Sequence, residues 1–378
     1  MRKEIFLNTL RPFLLEEFMK EYEFTAPYML CSSVAESWSL KEILEMADPE
    51  LHERWHTLSL EYTEPAGMPL LRHEISSLYT CIDSDHISTF AGAEEGIYCT
   101  MRTLIKPNDH VIVVTPCYQS LLTLPQDLGA DVTRLPLLRE LNWNIDPDML
   151  KKAFRRNTKL VVLNIPHNPT GSLIDKEVFD LLISLARHCG SYIFSDEVYR
   201  FLEVDETTRT PSIADAYERG ITLNVMSKSF GLPGLRIGWL ASQDTDLTHA
   251  VGSYKLYTSI CNSAPSELLS LMALGKRDYI LKRNRTVMLN NIALLDNFME
   301  RNEKHLSWIR PRSGSMATIE LKGRGPVESF VKELVTKTGV LLLPASVFGL
   351  QGNFFRIGFG KKTMAEILPR LEEFLCKS

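Results

Sequence analysis

The chain has 378 residues with 42 Lys plus Arg against 47 Asp plus Glu, a net charge of −5, so no global positive field draws it to nucleic acid or an anionic membrane. A hydrophobic share of 44% and a charged share of 24% describe an ordinary globular protein with chain enough for two or three domains. They exclude a disordered or fibrous class and leave small-molecule chemistry as the starting expectation.

The N-terminal MRKEIFLNTLRPFLLEEFMKEYEF interrupts every apolar stretch with charge and has no small-residue cleavage site, so it does not read as a signal peptide. Residues 1 to about 60 read as two helical stretches around TAPYMLCSSVAESWSL, which lacks periodicity and reads as a loop crossing a surface. From His86 short β-branched runs alternate with amphipathic helices: HISTF, AEEGIYCTMRTLI, VIVVTP, YQSLLTLPQDLG, DVTRLPL, PDMLKKAFRRN, KLVVLNIP, DKEVFDLLISLARHCG, YIFSDEVY, NVMSKSF and RIGWLAS. This order predicts an α/β fold with a mostly parallel sheet flanked by helices, whose ligands gather beyond the carboxyl ends of the strands. A helical stretch after Ser266 leads to ATIELKG, VESFVKELVTKTG, VLLLPAS, NFFRIGFG and TMAEILPRLEEFLC, a smaller α+β set. The expected division is an N-terminal arm over 1–45, a large domain over 46–265 and a small C-terminal domain over 266–378.

The longest apolar strings, LVVLNI and VIVV, are far shorter than the roughly 20 residues that span a bilayer. Seven cysteines form an odd set without a CxxC pair, which reads as reduced, mostly structural thiols. A cytoplasmic protein with no membrane partner is expected.

Four segments hold residues suited to one chemistry. In NVMSKSFGLPGLRIGWL, Lys228 sits where a strand gives way to a Gly-rich turn and Arg236 follows, an arrangement that suits a Schiff base beside a phosphate. YIFSDEVYR puts Asp196 at a strand end with Tyr199 three residues on, and a buried Asp demands a partner such as a protonated ring nitrogen. NIPHNPTG places Asn168 in a Pro-bounded loop leaving another strand. FAGAEEG opens a helix, so the amides of Gly92, Ala93 and Glu94 offer an anion site. Singly, each has a plain structural reading: an exposed lysine, a turn, ordinary first-turn acids.

Together these segments resemble the aspartate-aminotransferase superfamily, the fold-type I enzymes that use pyridoxal 5′-phosphate, in an order running from EYTEPAG through FAGAEEG, TPCYQS, NIPHNPTG, SDEVYR and SKSFGLPGLRIG to FFRIGFG. The resemblance covers about residues 60 to 360. It implies a seven-stranded large domain and an aminotransferase that passes an amino group between an α-amino acid and a 2-oxo acid. By the same resemblance Lys228 would form the Schiff base and move the α-proton, and Asp196 would keep the pyridine nitrogen protonated. Asn168 and Tyr199 would bond the ring's phenolate oxygen, and Tyr118 would stack on the ring. Gly92, Ala93, Glu94, Ser227 and Arg236 would hold the phosphate. Arg356 would grip the substrate carboxylate, with Asn168, Val34 and Ala35 completing the substrate side, and Glu36 and Trp38 are further pocket candidates. Tyr62 would reach the phosphate of a neighbouring subunit, which implies a homodimer.

Two positions depart from the family's usual pattern. Val225 stands where many relatives carry Ser or Thr three residues before the lysine, and Ala345 replaces Gly in the loop PAS. A lyase, cyclase or decarboxylase of the same fold would show the same cofactor residues. Separately, LHERWHTL contains HExxH at His52, Glu53 and His56, the spacing of a zinc peptidase, but Arg54 puts a cation inside the motif and no third ligand is evident, so a surface helix and no metal are expected.

Overall fold

Aliphatic and β-branched runs too short for helices become strands, and their burial on both faces fixes how they stack. In the computed structural model, which describes residues 11–377, the strands in chain order are β1 (Tyr28–Met29), β2 (Ile87–Phe90), β3 (His110–Thr115), β4 (Asp131–Leu138), β5 (Asn144–Ile145), β6 (Thr158–Asn164), β7 (Tyr192–Asp196) and β8 (Gly220–Val225). They continue with β9 (Gly238–Ala241), β10 (Leu306–Trp308), β11 (Met316–Leu321), β12 (Val340–Leu341), β13 (Leu343–Pro344) and β14 (Phe354–Gly358). The large sheet runs β2-β9-β8-β7-β6-β3-β4, with the two-residue β5 added at one edge. Pairings from β4 through β3, β6 and β7 to β8 are parallel, and β9 joins β8 and β2 antiparallel.

Parallel register sets the strand ends level: Asn164 lies beside Asp196, and Asp196 beside Leu223 two residues before β8 ends. Each end releases its loop on the same side. Helices such as Ala93–Leu104 and Lys176–Cys189 close the faces of this sheet, each burying one apolar stripe. The second sheet, β10-β11-β14-β13, is antiparallel and packs on the helices Val327–Thr338, Met364–Lys377 and the C-terminal part of Arg277–Arg301. The long helical stretch expected after Ser266 is two helices, Ala264–Leu274 and Arg277–Arg301, broken at Gly275–Lys276, where glycine weakens the helix.

The segment read as a loop over a surface is instead interior. β1 pairs with β12 in parallel, and Leu30, Cys31 and Ala35 are almost fully buried. Single-strand pairing and burial between the two sheets leave no periodicity for sequence to display. The first of the two expected N-terminal helices is present from Leu14 to Tyr22, residues 1–10 being outside the described residues, while two helices rather than one, Leu40–Met46 and Pro49–His56, fill the stretch before residue 60. Among the described residues, no helix is long and apolar enough to cross a membrane.

The buried segment is pinned to the turn after β8. Ala35 N–H donates to the Lys228 carbonyl at 3.2 Å, and Ser315 Oγ donates to the Ser33 carbonyl at 2.8 Å. Gly231 has φ +73°, and a Cβ there would collide with the Glu36 carbonyl. Gly231→Ala should therefore lower stability by about 1–3 kcal/mol, read as a shift of the urea midpoint. Gly234→Ala, whose Cβ would meet nothing within 4 Å, should change it by less than about 0.5 kcal/mol.

Candidate active site

Beyond the ends of β6, β7 and β8 lies a cavity of about 350 Å³, the size of a small cofactor site. Lys228, Asp196, Tyr199, Asn168, Tyr118, Ser227, Arg236, Arg356, Ala93, Glu94 and Val34, eleven residues singled out from sequence, all line it. They come from chain positions more than 300 residues apart, and only the strand register and the buried N-terminal segment bring them together.

Asp196 ends β7 at 5% exposure. Burial pushes its carboxyl up to about 7, against the opposing effects of a 3.2 Å bond from the Val198 N–H and the charge of Lys228. Its backbone is held by Asn164, whose Nδ2 donates to the Asp196 carbonyl at 2.7 Å while its Oδ1 accepts from the Asn168 N–H at 2.7 Å. One asparagine thus sets both residues. Lys228 is half-buried; its Nζ donates to Ser33 Oγ at 3.2 Å and stands 6.0 Å from the centre of the Tyr199 ring.

Arg356, on β14, crosses from the second sheet and is 4% exposed. Its guanidinium donates to Asn168 Oδ1 at 3.1 Å and to the Cys31 carbonyl at 2.7 Å, while Nε is buried without a partner. Desolvation lowers its pKa below the usual arginine value. Tyr118 donates its hydroxyl to Glu16 at 3.0 Å and packs on Phe13 with ring centres 5.2 Å apart. His167, unremarked in the sequence, is buried beneath the Asn168 loop, with Nε2 2.7 Å from the Pro116 carbonyl and Nδ1 2.8 Å from Thr170 Oγ1. Burial pulls it down to about 4, so the ring is neutral and serves as a tie between loops.

The residues fit pyridoxal phosphate. Ser227 Oγ is buried with no partner, and the first-turn amides of Ala93 and Glu94 have no intrahelical acceptor. Gly92 has φ +94°, and a Cβ there would run into the Arg236 guanidinium, so the space between helix start and arginine is kept free of side chain. An anion cup and a buried carboxylate in one cavity match the two ends of the cofactor. Val225 lines the same wall as an apolar residue, supplying no hydroxyl.

Other sequence candidates lie elsewhere. Gly92 shapes the cup from behind, and Ala35 is 1% exposed behind the cavity wall. Glu36 accepts from the Lys362 N–H at 2.7 Å, and Trp38 packs flat under Arg283, 3.3 Å from ring centre to guanidinium. Neither borders the cavity. Tyr62 is 88% exposed, on a segment anchored by Glu267, which accepts from Met68 N–H at 2.9 Å, and by Lys255, which donates to the Pro65 carbonyl at 2.7 Å. His52 and His56 sit on the exposed face of the helix Pro49–His56 with rings 4.8 Å apart, and Arg54 bonds Glu50 at 3.0 Å. Sequence reading missed Glu16, Glu23, Ser33 and Asn164 at the cavity; Asn164 opens the segment NIPHNPTG but was passed over for Asn168, and the other three lie outside the four segments singled out.

The strand order and the lysine, aspartate and anion cup at the strand ends define a fold-type I pyridoxal-phosphate enzyme. The family model for aminotransferase class I and II matches residues 41–371. The chain is 27% identical over 354 residues to an aspartate aminotransferase of Pyrococcus horikoshii, covering 89% of this chain and 87% of that one. It superposes on a PLP-dependent aminotransferase from Streptococcus suis with TM-score 0.92 and 33% identity, covering 98% and 99% of the two chains. It is also similar to the PLP-dependent cyclase OrfR, with TM-score 0.91, 26% identity and coverage of 99% and 100%. The chain belongs to the aminotransferase class I and II family and is a pyridoxal-phosphate-dependent enzyme of the transaminase type.

The raised carboxyl of Asp196 has a measurable consequence. Unfolded, an aspartate releases its proton near pH ~3.9, whereas the folded one holds it until about 7, so the cofactor-free protein loses stability as pH rises through that window. Asp196→Asn should remove up to about 4 kcal/mol of this dependence. Urea midpoints of wild type and variant, compared at pH 5 and pH 8, check it: the wild type should fall further between the two.

Proposed function

We propose that the amino transfer between an α-amino acid and a 2-oxo acid takes place in the cavity between Lys228, Asp196 and Arg356. The observation that carries this is that one cavity holds a buried carboxylate, a half-buried lysine and two buried polar atoms without partners, Ser227 Oγ and Arg356 Nε. Bound pyridoxal phosphate supplies an aldehyde that takes up the amino group and a ring that draws electrons from the α-carbon. Lys228 Nζ is the amine that carries the cofactor and moves the α-proton. Asp196 holds positive charge at the ring nitrogen, the partner its burial demands. Asn168 and Tyr199 orient the ring's oxygen side, and Tyr118 covers its face. The amides of Ala93 and Glu94, Ser227 Oγ and Arg236 bind the phosphate. Arg356 pairs the substrate carboxylate, with Nε as a donor that no protein group occupies. Val34 borders the substrate side, and Ala35 acts by fixing the Lys228 turn.

A homodimer is part of this reading. Tyr62 stands out from an anchored segment beside exposed Leu60, and Leu256, Tyr257 and Ile260 are exposed on a second segment that Thr63 joins through the Asn262 carbonyl at 3.0 Å. Exposed apolar side chains on two joined segments suit a second copy of the chain. The division into an arm over 1–45, a cofactor domain over 46–265 and a small domain over 266–378 belongs to this reading; a separate core drawn mainly from residues after Met288 supports a small domain, while Leu268, Leu271, Met272 and Ile280 pack with Leu71 and Trp239 of the large one. A cytoplasmic location is supported by seven unpaired cysteines. A cyclase acting on the same residues is a second reading, favoured by the likeness to OrfR.

The test is transamination by the purified protein, scored as new amino acid formed from a 2-oxo acid acceptor. Lys228→Ala should lose roughly 10²–10⁴-fold or more in rate. Arg356→Lys keeps the charge and loses the fork, and should cost about 2–5 kcal/mol in kcat/KM on α-amino acids, with a much smaller loss on amines without the carboxylate. Consumption of amino donor with no new amino acid would favour the cyclase. Light scattering should give the mass of two chains, and Tyr62→Ala should weaken cofactor retention.

A further inference from the structure

We propose that the amino donor of this site is an α-amino acid whose side chain ends in a cation, an ammonium or guanidinium on an aliphatic stem. The inference rests on the reading that Arg356 holds the substrate carboxylate, and it adds what lies opposite. The cavity is bordered by three cations, Lys228, Arg236 and Arg356, each with a task at the cofactor or the carboxylate. Among the described residues no further cation borders it. Besides Asp196, three carboxylates do: Glu16 on the helix Leu14–Tyr22, Glu23 at that helix's C-terminal end, and Glu94 in the first turn of the helix Ala93–Leu104.

None of these three has a cationic partner among the described residues. Glu16 accepts from the Tyr118 hydroxyl at 3.0 Å and Glu94 from the Ser120 hydroxyl at 3.0 Å, neutral donors that leave the charge uncompensated. Glu94 is open to solvent within the cleft yet enclosed by protein on most sides. That confinement, opposed by the Ser120 bond and reinforced by the charges of Glu16 and Asp196, pushes it up to about 7. Carboxylates gathered without a cation are a site waiting for one.

An independent observation points to a ligand in the same space. Arg356 borders this cavity with its Nε buried and unpartnered, and Glu16 is near enough to act on the Arg356 charge. A ligand carboxylate on Arg356 and a ligand cation toward Glu16 and Glu94 satisfy both ends. Leu15, Met19 and Met29 supply the apolar wall that an aliphatic stem packs against. A donor with an acidic side chain would instead bring its second carboxylate to three others, with no free cation among the described residues to receive it.

The probes are the borohydride-reduced adducts of pyridoxal phosphate with L-arginine, its neutral isostere L-citrulline, and L-aspartate, titrated into the cofactor-free protein by calorimetry. The arginine adduct should bind about tenfold more tightly than the citrulline adduct, and aspartate's most weakly. Glu16→Gln and Glu94→Gln should each shrink the arginine-to-citrulline ratio toward one. In turnover with a 2-oxo acid acceptor the same ranking should appear in kcat/KM. Equal binding of the arginine and citrulline adducts, a ratio indifferent to both substitutions, or a preference for aspartate overturns the inference and leaves the transamination reading standing. Adducts that bind in the expected order while no donor of any class yields new amino acid support the cationic pocket and remove the transamination reading.

Discussion

A carboxylate buried at the end of a central strand must stay neutral or face a cation, and Asp196 is held where only a ligand can supply that cation. The protein gives it one backbone N–H and the more distant charge of Lys228, which is too little to keep the carboxylate ionised through neutral pH. The rest of the site is organised around this debt. β7 places the group, Asn164 fixes its backbone against the Asn168 loop, and the turn after β8 brings Lys228 into the same cavity.

The second constraint is that the site is assembled from two sheets. Arg356 extends from β14 of the antiparallel sheet to Asn168 in the loop after β6 of the parallel one and to the Cys31 carbonyl. The segment from Leu30 to Glu36 acts as the seam: its backbone bonds Lys228 on one side and Ser315 and Lys361 on the other. Movement of one sheet against the other would therefore move Arg356 and the lysine turn relative to each other, coupling substrate grip to the reacting centre.

Much of this was legible in the sequence because the large sheet announces itself in short apolar runs with chemistry at their carboxyl ends. Lys228, Asp196, Asn168 and Arg236 lie within such signatures, and all border the cavity. The N-terminal segment was less readable. Leu30, Cys31 and Ala35 are buried by tertiary packing in an extended conformation with only a two-residue strand, which leaves neither period 2 nor period 3.6 to detect. Glu36 and Trp38, expected at the pocket, are engaged instead by the Lys362 N–H and the Arg283 guanidinium. Glu16 and Glu23 carry no motif, and only the packing of their helix over Tyr118 gives them a cavity to face.

Two lysines elsewhere are candidates for a reactive amine. Lys255 and Lys361 are both pulled below the ordinary lysine pKa by burial, yet their Nζ atoms are tied to the Pro65 and Ala35 carbonyls. Lys228, with one bond to Ser33 and an open path to Asp196's cavity, is the lysine assigned to carry the cofactor. Borohydride reduction of the protein with bound pyridoxal phosphate, followed by proteolysis and mass spectrometry, tests this most directly. The account predicts one stoichiometric phosphopyridoxyl group on the peptide containing Lys228; a stoichiometric adduct on Lys255, Lys361 or any other lysine, or no adduct at all, would contradict it.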